Sequence, residues 1–172
     1  MIELVDYIRL LSRDGRLVTA DQIIAVAGLE LEIEDINAAY QTLIEDEQYA
    51  DIVIIEAKDD FYFYSKKYIV KSYAVQWIGV HNGDLLDTIA NEVRRYSELG
   101  EVIPASNFTH PPYNLKKAEL GELLGKFQAA EGFDDIGMQT SNDGVEQFFS
   151  TKFITIKYAS VLGNVDPFEY SA

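Results

Sequence analysis

The chain reads as an α+β protein made by tandem duplication of a domain in which three helices precede a β-hairpin. The first observation behind this reading is a phrase written twice, FYFYSKKYIVKSYAV at 61–75 and FFSTKFITIKYAS at 148–160. The second is that apolar residues recur at helical spacing ahead of each phrase. The third is that each phrase adjoins an apolar run broken by turn-forming residues. With 48% hydrophobic and 12% aromatic residues in 172, each copy has the means to build its own core.

Self-similarity governs the domain reading and is taken first. Aligning Tyr49-Ala50-Asp51-Ile52 with Phe133-Asp134-Asp135-Ile136, with one extra residue in the second copy, superposes Phe63, Tyr64 and Ser65 on Phe148, Phe149 and Ser150. Lys67, Tyr68, Ile69, Tyr73 and Ala74 then fall on Lys152, Phe153, Ile154, Tyr158 and Ala159. Upstream, Leu31, Ile36 and Leu43 match Leu115, Leu120 and Phe127, and Gly15 to Ala20 is echoed by Gly100 to Ala105. Leu4, Val5, Asp6 and Ile8 pair with Leu85, Leu86, Asp87 and Ile89 only after a further gap. The expected division is residues 1–78 as repeat 1, 79–83 as a glycine-bracketed linker and 84–172 as repeat 2.

Within repeat 1, Leu4, Ile8 and Leu11 predict a first helix that stops at Asp14-Gly15. Thr19 with Gln22 forms a capping-box signature for a short second helix, which Gly28 is placed to end. Ile36, Tyr40, Leu43 and Ile44 predict a third helix from about Glu34. Val53 to Ile55 and Phe61 to Tyr64, separated by Ala57-Lys58-Asp59-Asp60, predict the hairpin; its counterpart carries Asn142-Asp143-Gly144 at the tip. Residues 66–77 are undecided: Ile69 and Tyr73 suit a helix, whereas the β-branched and aromatic content favours a strand.

Three helices followed by a hairpin resembles the winged-helix variant of the helix-turn-helix, with Leu17-Val18 and Val102-Ile103 in place of the short first strand. Two acidic winged helices in tandem are also similar to the bacterial chromosome segregation and condensation protein B family. That resemblance rests on architecture and implies a role in protein association within a condensin-like complex.

Charge narrows the function classes. Fourteen basic residues face 29 acidic ones, for a net charge of −15 divided evenly between the halves. Phosphate binding draws on Lys and Arg, yet the third helix of repeat 1 and its flanks carry Glu30, Glu32, Glu34, Asp35, Glu45, Asp46 and Glu47, with no basic residue between Arg16 and Lys58. Repeat 2 offers Lys116, Lys117 and Lys126 there, mixed with Glu119, Glu122 and Glu131. A DNA-binding regulator using repeat 2 is therefore the second reading.

The absence of cysteine excludes thiolate chemistry and disulfides. His81 and His110 lack partners at metal-ligand spacing, and no nucleotide-binding or hydrolase motif occurs. No catalytic residue, metal or cofactor is expected. Asp51 and Asp135, present in both copies, are read as a cap or turn before the hairpin. An accessory subunit of an enzyme, with a site between the repeats, is the third reading.

The leading expectation is a cytoplasmic, non-enzymatic protein-interaction or regulatory subunit, without a membrane span and compatible with homodimerisation. Its candidate interaction surface is Tyr62, Tyr64, Trp77, Phe108, His110 and Tyr113. Tyr62 and Tyr64 alternate with Phe61 and Phe63, so one pair is expected to face outward. Trp77 is expected to join the halves, and Asn107 to Asn114 to form a stiff aromatic loop.

Overall fold

In a computed structural model, described over residues 2–27 and 33–164, the chain divides into two compact units, Met1–Asn82 and Gly83–Ala172. The expected helix stop at Gly28 and the matched Leu31, with Glu30 and Glu32, lie outside the described residues, as does the side chain of Glu34.

Repeat 1 runs α1 (Ile2–Arg13), β1 (Val18–Thr19), α2 (Ala20–Ala27), α3 (Ile33–Ile44), a single 3-10 turn at Glu47–Tyr49, β2 (Ile52–Ala57), β3 (Asp60–Ser65) and α4 (Lys71–His81). The capping box forms: Thr19 N–H donates to Gln22 Oε1 at 3.0 Å and Gln22 N–H to Thr19 Oγ1 at 3.4 Å. Just beyond the end of α1 stands Gly15, whose φ of 71° is the left-handed conformation that favours glycine after a helix C-terminus.

The sheet order is β1-β3-β2, all antiparallel, with Phe63 opposite both Val18 and Ile54. Strand β3 is therefore central and covered on both faces. Phe61 and Phe63 pack with Val5, Ile8, Leu11, Ile23, Ile36, Leu43 and Ile52 beneath the first three helices. Tyr62 and Tyr64 pack on the other face with Leu17, Ile69, Ala74 and Ile78. That second layer settles residues 66–77: the hairpin already completes the sheet, and a helix, α4, covers its outer face. Its last turn holds Gly79, Val80 and His81, so the expected linker is largely helical.

Repeat 2 repeats the order with α5 (Leu85–Glu98), β4 (Ile103–Pro104), a 3-10 segment (Ala105–Thr109), α6 (Lys117–Ala129), β5 (Ile136–Thr140), β6 (Glu146–Ser150) and α7 (Ile156–Gly163), the sheet being β4-β6-β5. Where α2 stood there is only the 3-10 segment, before two prolines that cannot donate backbone hydrogen bonds.

The structure corrects the match between the first helices. Buried Val5, Ile8 and Ser12 correspond to buried Ala90, Val93 and Ser97, so α1 and α5 superpose without a gap from Gly15 and Gly100 backward. The gapped match was one helical turn out of register. A four-residue slip rotates a helix by only about 40° relative to its starting face, so the apolar stripe alone could not reject it.

The hairpin tips differ. Lys58 and Asp59 form a two-residue turn with φ of 49° and 61°, whereas Gly144 occupies the left-handed position (φ 80°) in a five-residue connection. Two consecutive non-glycine residues at positive φ are strained, and Asn-Gly suits such a turn better. Replacing Lys58 and Asp59 by Asn and Gly is expected to raise unfolding stability by about 0.5–1 kcal/mol, read as a higher denaturant midpoint at unchanged slope.

Candidate functional site

The candidate surface is mostly interior. Tyr62 and Tyr64 are 1% and 2% exposed, because α4 covers the face of β3 that was expected to look outward. Phe108 and Tyr113 are likewise buried, their rings edge-to-face at 5.0 Å, and burial raises the Tyr113 phenol above its ordinary pKa. The proline-containing loop thus turns its aromatics into the core of repeat 2 and leaves His110 exposed. Trp77 is partly buried; it stacks on His81 at 4.8 Å and meets Tyr62 edge-on at 6.2 Å, all within repeat 1. Four of the six residues are therefore interior, with Trp77 partly buried and His110 exposed.

What converges is a polar knot, built twice. In repeat 1, Arg9 of α1 reaches the residue before β2: Nε donates to Asp51 Oδ2 at 3.1 Å and Nη2 to Asp51 Oδ1 at 2.5 Å. Arg9 Nη2 also donates to the carbonyl of Gln48 at 2.7 Å. Ser65, fully buried at the end of β3, donates its hydroxyl to Asp51 Oδ2 at 2.5 Å. The Ser65 N–H in turn donates to Ser12 Oγ at 2.9 Å.

Repeat 2 repeats each contact. Arg94 Nε and Nη2 donate to Asp135 at 2.9 and 2.7 Å, and Nη2 to the carbonyl of Gly132 at 2.9 Å. Ser150 Oγ donates to Asp135 at 2.6 Å, while its N–H donates to Ser97 Oγ at 2.8 Å. Lys67 and Lys152 stand outside, 3.6 and 3.9 Å from the same carboxylates. Being half exposed, they add little.

The electrostatics follow from the bonds. Hydrogen bonding from Arg94, then from Ser150, holds the Asp135 carboxyl down at about 2 against the opposing effect of burial. Asp51 is pushed further below the usual carboxylate range by Arg9 and Ser65. Both aspartates are anions at neutral pH with their lone pairs occupied, and both serines are sealed from solvent. The knot is built to hold helix, loop and strand together, and it presents neither a nucleophile nor a base to a substrate.

This corrects the expectation that Asp51 and Asp135 act as local caps. Their main partners lie 42 and 41 residues earlier in the chain. The signal available in the sequence was the joint recurrence of Arg, Ser, Asp and Ser: Arg9, Ser12, Asp51 and Ser65 against Arg94, Ser97, Asp135 and Ser150. Among the described residues, no group of three or more His, Cys, Asp or Glu could hold a metal ion. No helix there is long and apolar enough to cross a membrane.

Because Asp135 has a folded pKa below its unfolded value near 4, its pairing stabilises the fold fully above about pH 4–5 and is lost as pH falls toward 2. Asp51 behaves in the same sense. Acid titration of unfolding stability is expected to fall steeply over that window in the parent protein and to flatten in the Asp51→Asn/Asp135→Asn double variant. Removing one carboxylate by Asp51→Ala leaves a partly buried guanidinium without its anion and should lower stability by about 3–5 kcal/mol, measured by chemical denaturation. Arg9→Met/Asp51→Leu together should recover much of that loss.

The comparisons agree with the duplication. The family model described as the YdhW C-terminal domain matches the chain twice, over residues 2–82 and 83–170. The uncharacterized protein YdhW of Escherichia coli (strain K12) is 25% identical over 167 residues, an alignment covering 96% of this chain and 76% of the relative. No solved structure matches. With the domain model spanning both halves, the chain belongs to the YdhW C-terminal domain family and carries that domain twice.

Proposed function

We propose that the protein is a tandem winged-helix interaction subunit that binds another protein and performs no chemistry of its own. The winged-helix reading is supported by the element order of each repeat, helix, short strand, helical segment, helix and hairpin, and by the placement of the first short strand beside the hairpin's second strand. In winged helices that bind DNA, the third helix enters the major groove and its exposed side chains reach the phosphates.

The observation that carries the functional reading is the chemistry of that helix. The exposed side chains of α3 include Asp35, Asn37, Gln41 and Thr42, and Glu45, Asp46 and Glu47 follow it, also exposed. A phosphate backbone would be repelled. Among the arginines that could compensate, Arg9 and Arg94 are held by the buried aspartates and Arg95 by Glu92 at 2.6 Å, while the exposed Arg13 and Arg16 stand at and just beyond the end of α1, not on α3. In α6, Lys117 and Lys126 are exposed beside Glu119 and Glu122, a mixed face suited to solvent or to a protein rim. Membership in the YdhW C-terminal domain family is compatible with this reading and adds no activity to it.

A tagged protein recovered from its native cells is expected to retain a stoichiometric protein partner after nuclease treatment, and to show no measurable affinity for a duplex at about 50 mM salt. Duplex binding that weakens steeply with salt and disappears on Lys116→Ala/Lys117→Ala/Lys126→Ala would instead make repeat 2 a DNA-binding module.

A further inference from the structure

The basic residues of repeat 1 are gathered at one end of it. Five of its seven, Arg13, Arg16, Lys66, Lys67 and Lys71, are exposed and lie on three segments that hydrogen bonds draw together. The bond from Ser65 N–H to Ser12 Oγ, 2.9 Å, sets Lys66 and Lys67 beside the last turn of α1, where Arg13 stands. Tyr73 donates its hydroxyl to the carbonyl of Gly15 at 2.8 Å, which brings the first turn of α4, with Lys71, against the turn that carries Arg16. The carboxylates paired at this end are Asp14, 3.7 Å from Arg16, and the buried Asp51, bonded to Arg9 and 3.6 Å from Lys67. Exposed Tyr68 (50%) and Val70 (67%) are interleaved with the cations.

Repeat 2 has the same joint with less positive charge, Lys152 and Lys157 being its exposed cations there. Its Ser150 N–H to Ser97 Oγ bond is intact at 2.8 Å, yet Arg13, Arg16, Lys66 and Lys71 are replaced by Glu98, Glu101, Thr151 and Ile156, and only Lys67 has a basic counterpart, Lys152. The fold therefore does not require these cations, because the copy that lacks them forms the same knot. A positive patch on a chain of net charge −15 that folding does not need calls for another role.

We propose that this end of repeat 1 docks an acidic, apolar-anchored segment of a partner protein. Opposite charge provides steering and register, and Tyr68 and Val70 offer apolar area that carboxylate-bearing peptides can cover with a neighbouring large side chain. A nucleic acid fits less well, since it would not use that apolar area and would feel the negative field of the rest of the chain. The proposal rests on the interaction-subunit reading and names the chemistry of its partner.

The test is a titration of the full chain with a fluorescein-labelled peptide that alternates glutamate with phenylalanine and leucine, beside the same peptide with glutamine at each glutamate and a random-sequence duplex. The parent protein is expected to bind the glutamate peptide best, and less tightly at about 300 mM than at about 50 mM salt. Arg13→Glu/Lys66→Glu/Lys71→Glu, residues outside the buried knot, should weaken binding about tenfold or more at an unchanged thermal midpoint. Glu98→Arg/Glu101→Arg/Thr151→Lys should create a second site in repeat 2, seen as a doubled stoichiometry. No binding to the glutamate peptide, binding indifferent to the charge reversal, or tighter binding to the duplex overturns the proposal. If the charge-reversed protein still carries its nuclease-resistant partner from cells, the patch is wrong and the interaction reading stands. If the parent recovers DNA alone, the interaction reading itself fails.

Discussion

Each repeat depends on one buried carboxylate. Asp51 and Asp135 are 5% and 8% exposed, and an ion so placed must be paired or the fold is heavily penalised. Pairing them requires three separate segments at once: the arginine of the first helix, the serine at the end of the hairpin's second strand, and the backbone of the loop before its first strand. A one-residue slip of β3 would turn Ser65 to the opposite face and leave Asp51 without its hydroxyl donor. A one-turn shift of α1 would withdraw both Arg9 and Ser12. Because a buried ion pair can add little net stability over an apolar substitute, the knot is better understood as a specifier of register than as the main source of folding energy. That source is the apolar packing on the two faces of β3 and β6.

The two copies share this joint and differ in what they place behind it. On the outer face of the sheet, repeat 1 stacks Tyr62, Trp77 and His81, and Tyr62 donates its hydroxyl to Asn82 at 3.1 Å. Repeat 2 has Gln147 where Tyr62 would be. Gln139 Nε2 donates to Gln147 Oε1 at 2.9 Å and to the carbonyl of Ala159 at 2.6 Å. A side chain at Gly163 would collide with both glutamine amides, so α7 approaches this face through a glycine where α4 uses Ile78. An aromatic layer and an amide layer therefore fill equivalent space, each satisfied in its own terms.

What the sequence made legible was whatever repeats at short range. The helical stripes of repeat 1, the Thr19–Gln22 cap and the hairpin strands are patterns of period two, three or four, and they appear in the structure as read, while the doubled phrase marked the two units. The misreadings have non-local causes. Alternation along Phe61 to Tyr64 implies one exposed face only if the sheet has one covering layer, and α4 supplies a second. The segment 66–77 that leads into that helix was itself ambiguous, since Tyr68, Ile69, Val70 and Tyr73 are as common in strands. Asp51 looked local because its neighbours suit a turn, while the guanidinium that explains it comes from 42 residues away. Four of the six candidate surface residues, Tyr62, Tyr64, Phe108 and Tyr113, proved interior for the same reason: large aromatics mark cores at least as often as contacts.

Duplication offers a control that a single domain lacks. Features present in both copies, such as Arg9 with Arg94, Asp51 with Asp135 and Ser65 with Ser150, are those the shared fold requires. Features present in one copy, under the same backbone hydrogen bonds, are free of that requirement. By this criterion the interior knot belongs to folding, however closely its buried charges resemble a site. The surface charge above it differs between the repeats, Arg13 and Arg16 against Glu98 and Glu101, and it is there that a reason outside folding is needed. Electrostatic complementarity acts most strongly through such exposed groups on encounter and orientation rather than on stability. A chain that is acidic throughout, yet keeps five of the seven cations of one repeat at one end, has the charge asymmetry by which a partner could tell one repeat from the other.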